Sequence, residues 1–469
     1  MRSTRRAALP ALLLPAIALV PASSAWGHTS PSGQQGHAFG HQGRDVSDLA
    51  TVTTDVETPV LYDDEAGGDA SGDDPAIWVH PGDSRDSLVL ATAKEGGLRV
   101  YDTAGRELQS LAADPAPRAD GVAGRYNNVD LAYGLRVGGE TVDVAVVSDR
   151  YNDQLRFFAV DPDGADADAP LTEITAAEQE FLFQPDRAGV DSDQTAYGLA
   201  VWQDGDDAYA VVTQEGTTRI ATARLVPGAD GTVGYADVDH LNLPASFELP
   251  DGSTWTPCEE PGVGPQLEGL SVDQRTGTLY AAQEDVGLWR LSLPLGSGEP
   301  RLVDTVTDFG VEDAYDPGTE ECSPADGSTE EEAAAANPFG GDLLTADAEG
   351  VDVYHGPGRT GYVIVSSQGD DTYAVYSTTG RNKAVGSFRV AGTDGVDDVD
   401  GSDGLAVTNR PVGPYRQGLL VTHDEPETGA DVEPGRGDAT GFSYVAWDDV
   451  ADELGLVVST RAGNDPRFR

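Results

Sequence analysis

A short pattern that recurs six times along the chain constrains the fold more than any other feature of the sequence. Each copy has a small residue, usually Gly, followed by apolar-x-Val, and an acidic residue or Tyr stands in front of it. The copies lie at residues 74–79, 133–137, 197–201, 268–272, 349–353 and 403–407. Each alternates apolar with other residues, as a β-strand does, and each is followed by a second apolar run with a polar end.

Six similar small antiparallel sheets predict an all-β fold, a six-bladed β-propeller. The irregular spacing of the copies predicts long inserted loops between strands. A pair of β-sandwiches is the alternative architecture, although sandwiches do not require six like units. A propeller cannot be divided between blades without exposing sheet faces, so we expect one large domain over residues 55–469.

The first 27 residues are typical of an export signal. A basic start is followed by an apolar run from Ala7 to Val20 and by small residues at 23–25. The Arg5-Arg6 pair is compatible with twin-arginine export as well as with general secretion. Residues 28–54 are polar and rich in Gly, Ser and His, which predicts a flexible leader. We therefore expect a secreted protein, without a membrane partner.

The two cysteines, Cys258 and Cys322, lie in Pro- and Glu-rich insertions. In an exported chain a single pair of cysteines predicts one disulfide.

The charge balance is strongly acidic, with 81 acidic against 29 basic side chains and a formal net charge of −52. Such a chain does not attract nucleic acid or anionic lipid by charge, so we expect neither as a partner. Surface acid alone can serve solubility. The positions of the carboxylates must therefore decide whether some of them form a site.

The repeat brings part of this acid together. In a propeller the innermost strands line the central channel, so the residues that open them form a ring: Asp74, Tyr133, Tyr197, Glu268, Glu349 and Asp403. The second strands are antiparallel and end on the same face. The acids that we expect to converge there are Glu268, Glu284, Asp285, Asp347, Glu349, Asp397, Asp403 and Asp424.

Converging carboxylates repel one another strongly unless cations lie among them, and all-oxygen ligands favour Ca²⁺ over zinc or copper. Three basic residues, Lys94, Arg150 and Arg219, interrupt this acidic face. Cations beside a metal-binding acidic site suit a ligand that is rich in phosphate.

Two stretches, 73–78 and 127–130, resemble the signature motifs of the β-propeller phytases. Residues 266–269, 281–285, 347–350, 366–369 and 397–404 fit the same family, in order, from about residue 54 to the C-terminus. The resemblance implies a calcium-dependent phosphomonoesterase that hydrolyses phytate, myo-inositol hexakisphosphate, by attack of water. Two alternatives stay open: a non-enzymatic, calcium-stabilised propeller that binds acidic or phosphorylated ligands, and a lactonase-type metal hydrolase.

The resemblance also implies roles for individual residues. The metal ligands would be Asp74, the carbonyl of Val129, Tyr197, Glu268, Asp347, Glu349, Gln368, Asp397, His423 and Asp424. The catalytic group would comprise Glu268, Glu284, Asp347, Glu349 and Tyr197, and the substrate-binding group Lys94, Arg150 and Asp73. The chain departs from the family pattern at Glu95 and at Gln214-Glu215, where lysines are often found.

A closed propeller with an acidic surface further predicts a monomer.

Overall fold

The computed structural model describes residues 49–461 apart from 64–69, 115–122, 192–193, 320, 394, 430–431 and 437–438. The predicted export signal and most of the predicted leader lie outside the described residues. The described residues fall within one unit, Gly43–Arg469. In this part of the chain, no helix is long and apolar enough to cross a membrane.

Strands dominate the described structure. They form six sheets of four or five strands, which we number as blades 1 to 6 in chain order, and two additional two-stranded sheets. Two strands precede the first blade: β1 (Ala50–Thr54) and β2 (Leu61–Tyr62). Blade 1 contains β3 (Pro75–Trp78), β4 (Leu88–Thr92), β5 (Leu98–Tyr101) and β6 (Glu107–Leu111). Blade 2 contains β7 (Tyr126–Val137), β8 (Glu140–Asp149), β9 (Gln154–Val160) and β10 (Leu171–Glu173). Blade 3 contains β11 (Ala196–Asp204), β12 (Asp207–Gln214), β13 (Arg219–Pro227) and β14 (Val233–Asn242).

Two inserted hairpins flank blade 4. The first consists of β15 (Phe247–Glu248) and β16 (Thr254–Trp255). Blade 4 contains β17 (Leu267–Asp273), β18 (Thr278–Gln283), β19 (Gly287–Ser292) and β20 (Arg301–Thr305). The second hairpin consists of β21 (Asp313–Asp316) and β22 (Glu321–Pro324). A disulfide between Cys258 and Cys322, with Cα atoms 6.0 Å apart, joins the two inserted segments and confirms that prediction.

The last two blades recruit the N-terminal strands. Blade 5 contains β23 (Ala348–His355), β24 (Gly361–Ser367), β25 (Thr372–Ser377) and β26 (Ala384–Gly392), and β1 lies parallel to β26 at its edge. Blade 6 contains β27 (Leu405–Thr408), β28 (Leu419–Asp424) and β29 (Ala439–Ala446), and β2 lies antiparallel to β29. The N-terminal strands therefore complete sheets built mainly from the end of the chain.

The boundary predicted at residues 54/55 is wrong, because Ala50–Thr54 are strand β1 and not leader. Val52 and Thr54 are each 2% exposed, and the Thr54 hydroxyl donates a hydrogen bond of 2.8 Å to the carbonyl of Tyr444. Buried and exposed residues alternate along the end of this strand, a pattern that the polarity of the segment obscured.

The described helices are short. They are α1 (Arg187–Val190), α2 (Glu330–Ala336) and α3 (Trp447–Leu454), with 3₁₀ turns at Ser84–Asp86, Arg150–Asn152, Gly164–Asp166 and Gln368–Asp370.

The inner strands of successive blades contact one another, and β27 contacts β3, which closes the ring. Apolar residues of each blade alternate between its two neighbours. In β4, for example, Leu88 and Leu90 pack toward blade 2 while Val89 and Ala91 pack toward blade 6. Six apolar clusters, one per junction between described blades, make up the core. The predicted six-bladed β-propeller is confirmed.

The glycine of the repeat has a steric cause. A Cβ on Gly198 would overlap the carbonyl oxygen of Glu268 in the next blade, and one on Gly269 would overlap that of Glu349. Because glycine lacks this atom, the inner strands approach one another closely. The acid or tyrosine in front of each of these glycines is thereby brought near the corresponding residue of the next blade.

Candidate active site

Three glutamates form the centre of what we call the acidic site. Glu268 is the second residue of β17, Glu349 is the second residue of β23, and Glu284 follows β18. One carboxylate oxygen from each can be chosen so that all three lie within 4.8 Å of one another. The exposed fraction of each side chain is 6–7%. The structure thus brings together three residues that the repeat placed in one ring.

Burial and mutual repulsion govern the charge state of these groups. Burial raises the pKa of all three carboxyls, and neighbouring carboxylates raise them further. For Glu349 the neighbours responsible are chiefly Glu268 and Glu284. Two like charges about 4 Å apart repel by roughly 4 kcal/mol at an effective dielectric of 20. A bound cation would reverse this cost, since it turns the repulsion into ligation.

Polar neighbours hold the acidic site in place but leave oxygens available. The Asn127 side-chain amide donates 2.7 Å to Glu268 Oε1, and that of Gln266 donates 2.8 Å to Glu284 Oε2. The Tyr197 hydroxyl hydrogen-bonds to Glu268 and lowers the pKa of that carboxyl, against the larger effect of burial. Within the described residues, Glu284 Oε1 and Glu349 Oε2 are buried without a hydrogen-bond partner.

Three further side chains with oxygen atoms, those of Asp347, Gln368 and Asp403, lie beside the glutamates. The Gln368 amide donates 2.6 Å to Asp403 Oδ1, and its backbone N–H donates 2.9 Å to the carbonyl of Asp347. Burial, together with the charges of Asp285 and Asp403, raises the pKa of Asp347 to about 7. These residues extend the acidic site toward blades 5 and 6.

Cationic side chains form one flank of the acidic site. Lys94 Nζ lies 3.3 Å from Asp403 Oδ2 and 3.9 Å from Asp73 Oδ2. The Arg150 guanidinium lies 4.9 Å from the centre of the Tyr197 ring and is paired with Glu215. The three residues predicted to bind substrate, Lys94, Arg150 and Asp73, are therefore all adjacent to the acidic site.

A separate acidic cluster lies near blade 6. Asp397 and Asp424 meet Glu57 and Glu427 there, with one carboxylate oxygen from each within 4.8 Å of the others. Asp424 is fully buried, and burial, followed by the charge of Glu427, raises its pKa to about 9. This cluster offers a second set of ligands suited to a metal ion.

His423 belongs to a different group than predicted. Its ring forms a possible ligand set with Asp403 and Glu425, and not with Asp397 and Asp424. The backbone N–H of Asp403 donates 3.1 Å to His423 Nδ1. Burial lowers the pKa of this histidine to about 4, so the ring is neutral at neutral pH.

The predicted pair of Asp74 and Val129 meets in the central channel. The contact in the structure is a 3.1 Å hydrogen bond from the Val129 N–H to Asp74 Oδ2. Asp130 and Asp352 line the same channel, and each accepts a backbone N–H of the following blade, from Val201 and from Val407. Channel carboxylates thus link neighbouring blades.

Two expectations about the ring were wrong. Tyr133 is not in it, because β7 begins seven residues earlier and Asn127 reaches Glu268 instead. Asn127 lies in the motif at residues 127–130, and its place near the start of a long strand is the signal that identifies it. Arg219 interacts with Asn242 at an exposed position between β13 and β14, and with no member of the acidic site in the described structure.

Sequence reasoning also missed two residues beside the site. Arg125 extends the cationic flank and pairs with Glu95 at 2.6 Å. Glu259, next to Cys258, lies against Asp285. Its burial and the charges of Asp285 and Asp347 raise its pKa to about 9. Glu259 belongs to an insertion without a repeat, so no pattern placed it.

The fold and the site together define a class of protein: a six-bladed propeller with buried acidic clusters that can hold metal ions, flanked by cations that can hold an anion. A family model described as Phytase matches residues 36–181 and 318–468. The chain therefore belongs to the phytase family of phytate-hydrolysing enzymes. A relative described as a 3-phytase, from Bacillus subtilis (strain 168), is 28% identical over 428 residues, which cover 89% of this chain and 88% of the relative.

Solved structures show weaker similarity. Regucalcin from Agrobacterium tumefaciens, described as a calcium-binding protein, aligns with a TM-score of 0.40 at 12% identity, over 88% of this chain and 97% of its own. The allergen Mala s 1 of Malassezia sympodialis aligns with a TM-score of 0.38 at 12% identity, over 84% of this chain and 95% of its own.

Proposed function

We propose that this phytase is a secreted, calcium-dependent phosphomonoesterase that releases inorganic phosphate from phytate. The observation that carries the proposal is the acidic site, in which three buried glutamates converge beside Lys94 and Arg150. Metal ligands and phosphate-binding cations are both needed to bind a phosphate ester in a site of this charge.

Calcium fits the donor atoms of the site. Its ligands would be oxygens of carboxylates and of the Gln368 amide, which hard cations prefer. The buried, unpartnered oxygens of Glu284 and Glu349 support the assignment, because an orphaned buried carboxylate oxygen is costly without a cation. We assign Glu268, Asp347, Glu349, Gln368 and Tyr197 to metal ions at the acidic site.

Other metal positions would stabilise the fold. The cluster around Asp397 and Asp424 brings four carboxylates close together, and a bound cation would offset their repulsion. We assign these two residues to a stabilising calcium ion, and His423 to a separate metal position with Asp403 and Glu425. Asp74 and the carbonyl of Val129 are assigned to a further stabilising ion in the channel.

In the proposed reaction, side chains of the protein bind the substrate and accept a proton from water. Lys94 and Arg150 bind phosphate oxygens of the substrate and fix the orientation of the scissile ester, and Asp73 holds Lys94. A carboxylate of the acidic site accepts a proton from water as the water oxygen attacks phosphorus opposite the inositol oxygen. The bond from phosphorus to the inositol oxygen breaks, and that oxygen takes up a proton from solvent. When bound, calcium supplies positive charge that neutralises the phosphate and makes water more acidic.

Secretion is part of the proposal. The predicted signal at residues 1–27 and the disulfide between Cys258 and Cys322 support it, because disulfides persist in oxidising compartments. We further propose that residues 55–469, with β1, act as one domain and that the protein is a monomer.

The test is phosphate release from phytate by the full chain, with calcium, with a chelator, and with calcium restored after chelation. We expect release in calcium, loss in chelator and recovery on restoration. Release that is indifferent to the chelator would contradict the calcium assignment. Binding of phytate without release would favour a non-enzymatic propeller, and hydrolysis of lactones alone would favour a lactonase.

A further inference from the structure

The cationic flank of the acidic site contains a third member, Arg125, that the resemblance to the family does not assign. Backbone hydrogen bonds fix its place. The next residue, Tyr126, donates its N–H to the carbonyl of Lys94 at 3.1 Å, and the N–H of Arg150 donates to the carbonyl of Arg125 at 2.8 Å. The N–H of Arg125 itself donates 3.2 Å to Asp149 Oδ1. Lys94, Arg125 and Arg150 are therefore direct neighbours.

The Arg125 side chain is accessible and has donors to spare. Its exposed fraction is 18%, against 17% for Lys94 and 22% for Arg150. A guanidinium carries five N–H donors in a planar fork. Nη1 contacts Glu95, whereas Nε is buried and has no hydrogen-bond partner in the described part of the chain. Because Nε is buried, an entering phosphate would bind the terminal N–H groups of the guanidinium.

Two carboxylates compete for the arginines of the flank. Glu95 Oε1 accepts 2.6 Å from Arg125 and 3.0 Å from the Tyr151 hydroxyl. Glu215 pairs with Arg150 in the same way. Carboxylate and phosphate bind the same fork of a guanidinium, so a phosphate that enters here must replace the carboxylate.

We propose that Arg125 binds a phosphate group of a substrate that carries several phosphates, and that Glu95 holds Arg125 until that phosphate replaces it. The inference rests on the proposed function and adds to it a substrate-binding residue and an internal competitor. Glu95 then weakens substrate binding while keeping the half-buried guanidinium of Arg125 paired when no substrate is present.

The test is a double-mutant cycle with phytate in saturating calcium, using Arg125→Ala, Glu95→Gln and the double variant. We expect Arg125→Ala to raise KM about tenfold, the scale of one hydrogen bond between charged groups, with kcat within about twofold. Glu95→Gln should lower KM about threefold by freeing Arg125, and it should have no effect once Arg125 is Ala. Arg125→Lys should recover part of the loss.

The matched control is Arg224→Ala, since Arg224 also pairs with a carboxylate, Asp237, but at an exposed position on blade 3. It should leave KM and the melting temperature unchanged. A folded Arg125→Ala variant with the KM of the parent would overturn the inference. So would a Glu95→Gln effect of equal size in both backgrounds, which would indicate a general charge effect.

Two further cases need separate criteria: an Arg125→Ala variant that does not fold, and a parent protein that does not hydrolyse phytate. If Arg125→Ala does not fold, Glu95→Gln and Arg125→Lys alone decide, and an unchanged KM in both overturns the inference. Calorimetric Kd values for phytate are measured in parallel. A parent protein that binds phytate without hydrolysing it refutes the proposed function, while an about tenfold weaker Kd in Arg125→Ala still supports the inference. If the parent does not bind phytate, both are refuted.

Discussion

Among single residues, Tyr197 shows how one side chain serves two neighbours of different charge. Its hydroxyl hydrogen-bonds to Glu268, and its ring lies 4.9 Å from the guanidinium of Arg150. The side chain is 9% exposed, so it also contributes to packing. The chemistry of the hydroxyl and that of the ring can be separated by substitution.

Tyr197→Phe removes the hydroxyl and keeps the ring. We expect kcat for phytate to fall about tenfold, because a buried carboxylate of the acidic site loses a hydrogen bond, while the melting temperature stays within about 2 °C. Tyr197→Leu, which also removes the ring from beneath Arg150, should raise KM in addition. Assays of both variants at several phytate concentrations make the comparison. Full activity of the Phe variant would assign Tyr197 to packing alone.

Residues of the acidic site differ in how far the sequence could place them. Glu268 and Glu349 precede the repeat glycines, and the close approach of the inner strands makes their convergence predictable. The repeat pattern wrongly placed Tyr133 at the start of its strand, because β7 is long and begins at Tyr126, seven residues earlier. Arg125 reaches the site from the irregular segment just before β7, and Glu259 reaches it from an insertion. The geometry of both segments depends on tertiary contacts that no local pattern encodes.

At the scale of secondary structure, the junction between the chain ends is the feature that the sequence did not indicate. β1 pairs with β26 in parallel, with Val52 opposite Val390. A five-residue strand at the edge of a sheet has no repeat partner in the sequence, so only its alternation could have identified it. The same strand covers the otherwise open edge of blade 5.

Deletion of residues 1–55 removes β1 and should destabilise the protein by about 2–4 kcal/mol, since a buried valine and a buried threonine hydrogen bond are lost. Deletion of residues 1–42 retains β1 and serves as the control. Urea unfolding followed by tryptophan fluorescence measures the difference. Identical midpoints for the two truncations would show that β1 does not stabilise blade 5.

For the whole molecule, the net charge of −52 divides into two populations. Many carboxylates are exposed, such as Glu331 in α2, and aid solubility. A smaller group lies buried in the acidic site and in the cluster around Asp424. Only the buried carboxylates destabilise the folded state when they are charged and no cation is bound. The stability of the folded protein should therefore depend on metal and on pH.

Without metal, the melting temperature should fall as pH rises from about 5 to about 9. Burial and neighbouring charges raise the pKa of Asp347 to about 7 and that of Asp424 to about 9. The folded state then binds protons more tightly than the unfolded state, so stability present at low pH is lost as pH rises through these values. With calcium the curve should lie higher and be flatter, because bound cations offset the repulsion. If the melting temperature depended on pH in the same way in calcium and in chelator, this prediction would be contradicted.

In the proposed function, the buried carboxylates of the acidic site make phytate hydrolysis depend on calcium. The most direct measurement is the rate of phosphate release from phytate across a calcium titration, for the parent, Glu349→Gln and the matched surface variant Glu331→Gln. We predict a calcium-dependent rate that Glu331→Gln leaves unchanged and that Glu349→Gln lowers at least about a hundredfold at every calcium concentration. A Glu349→Gln protein that releases phosphate at the parental rate would contradict the account.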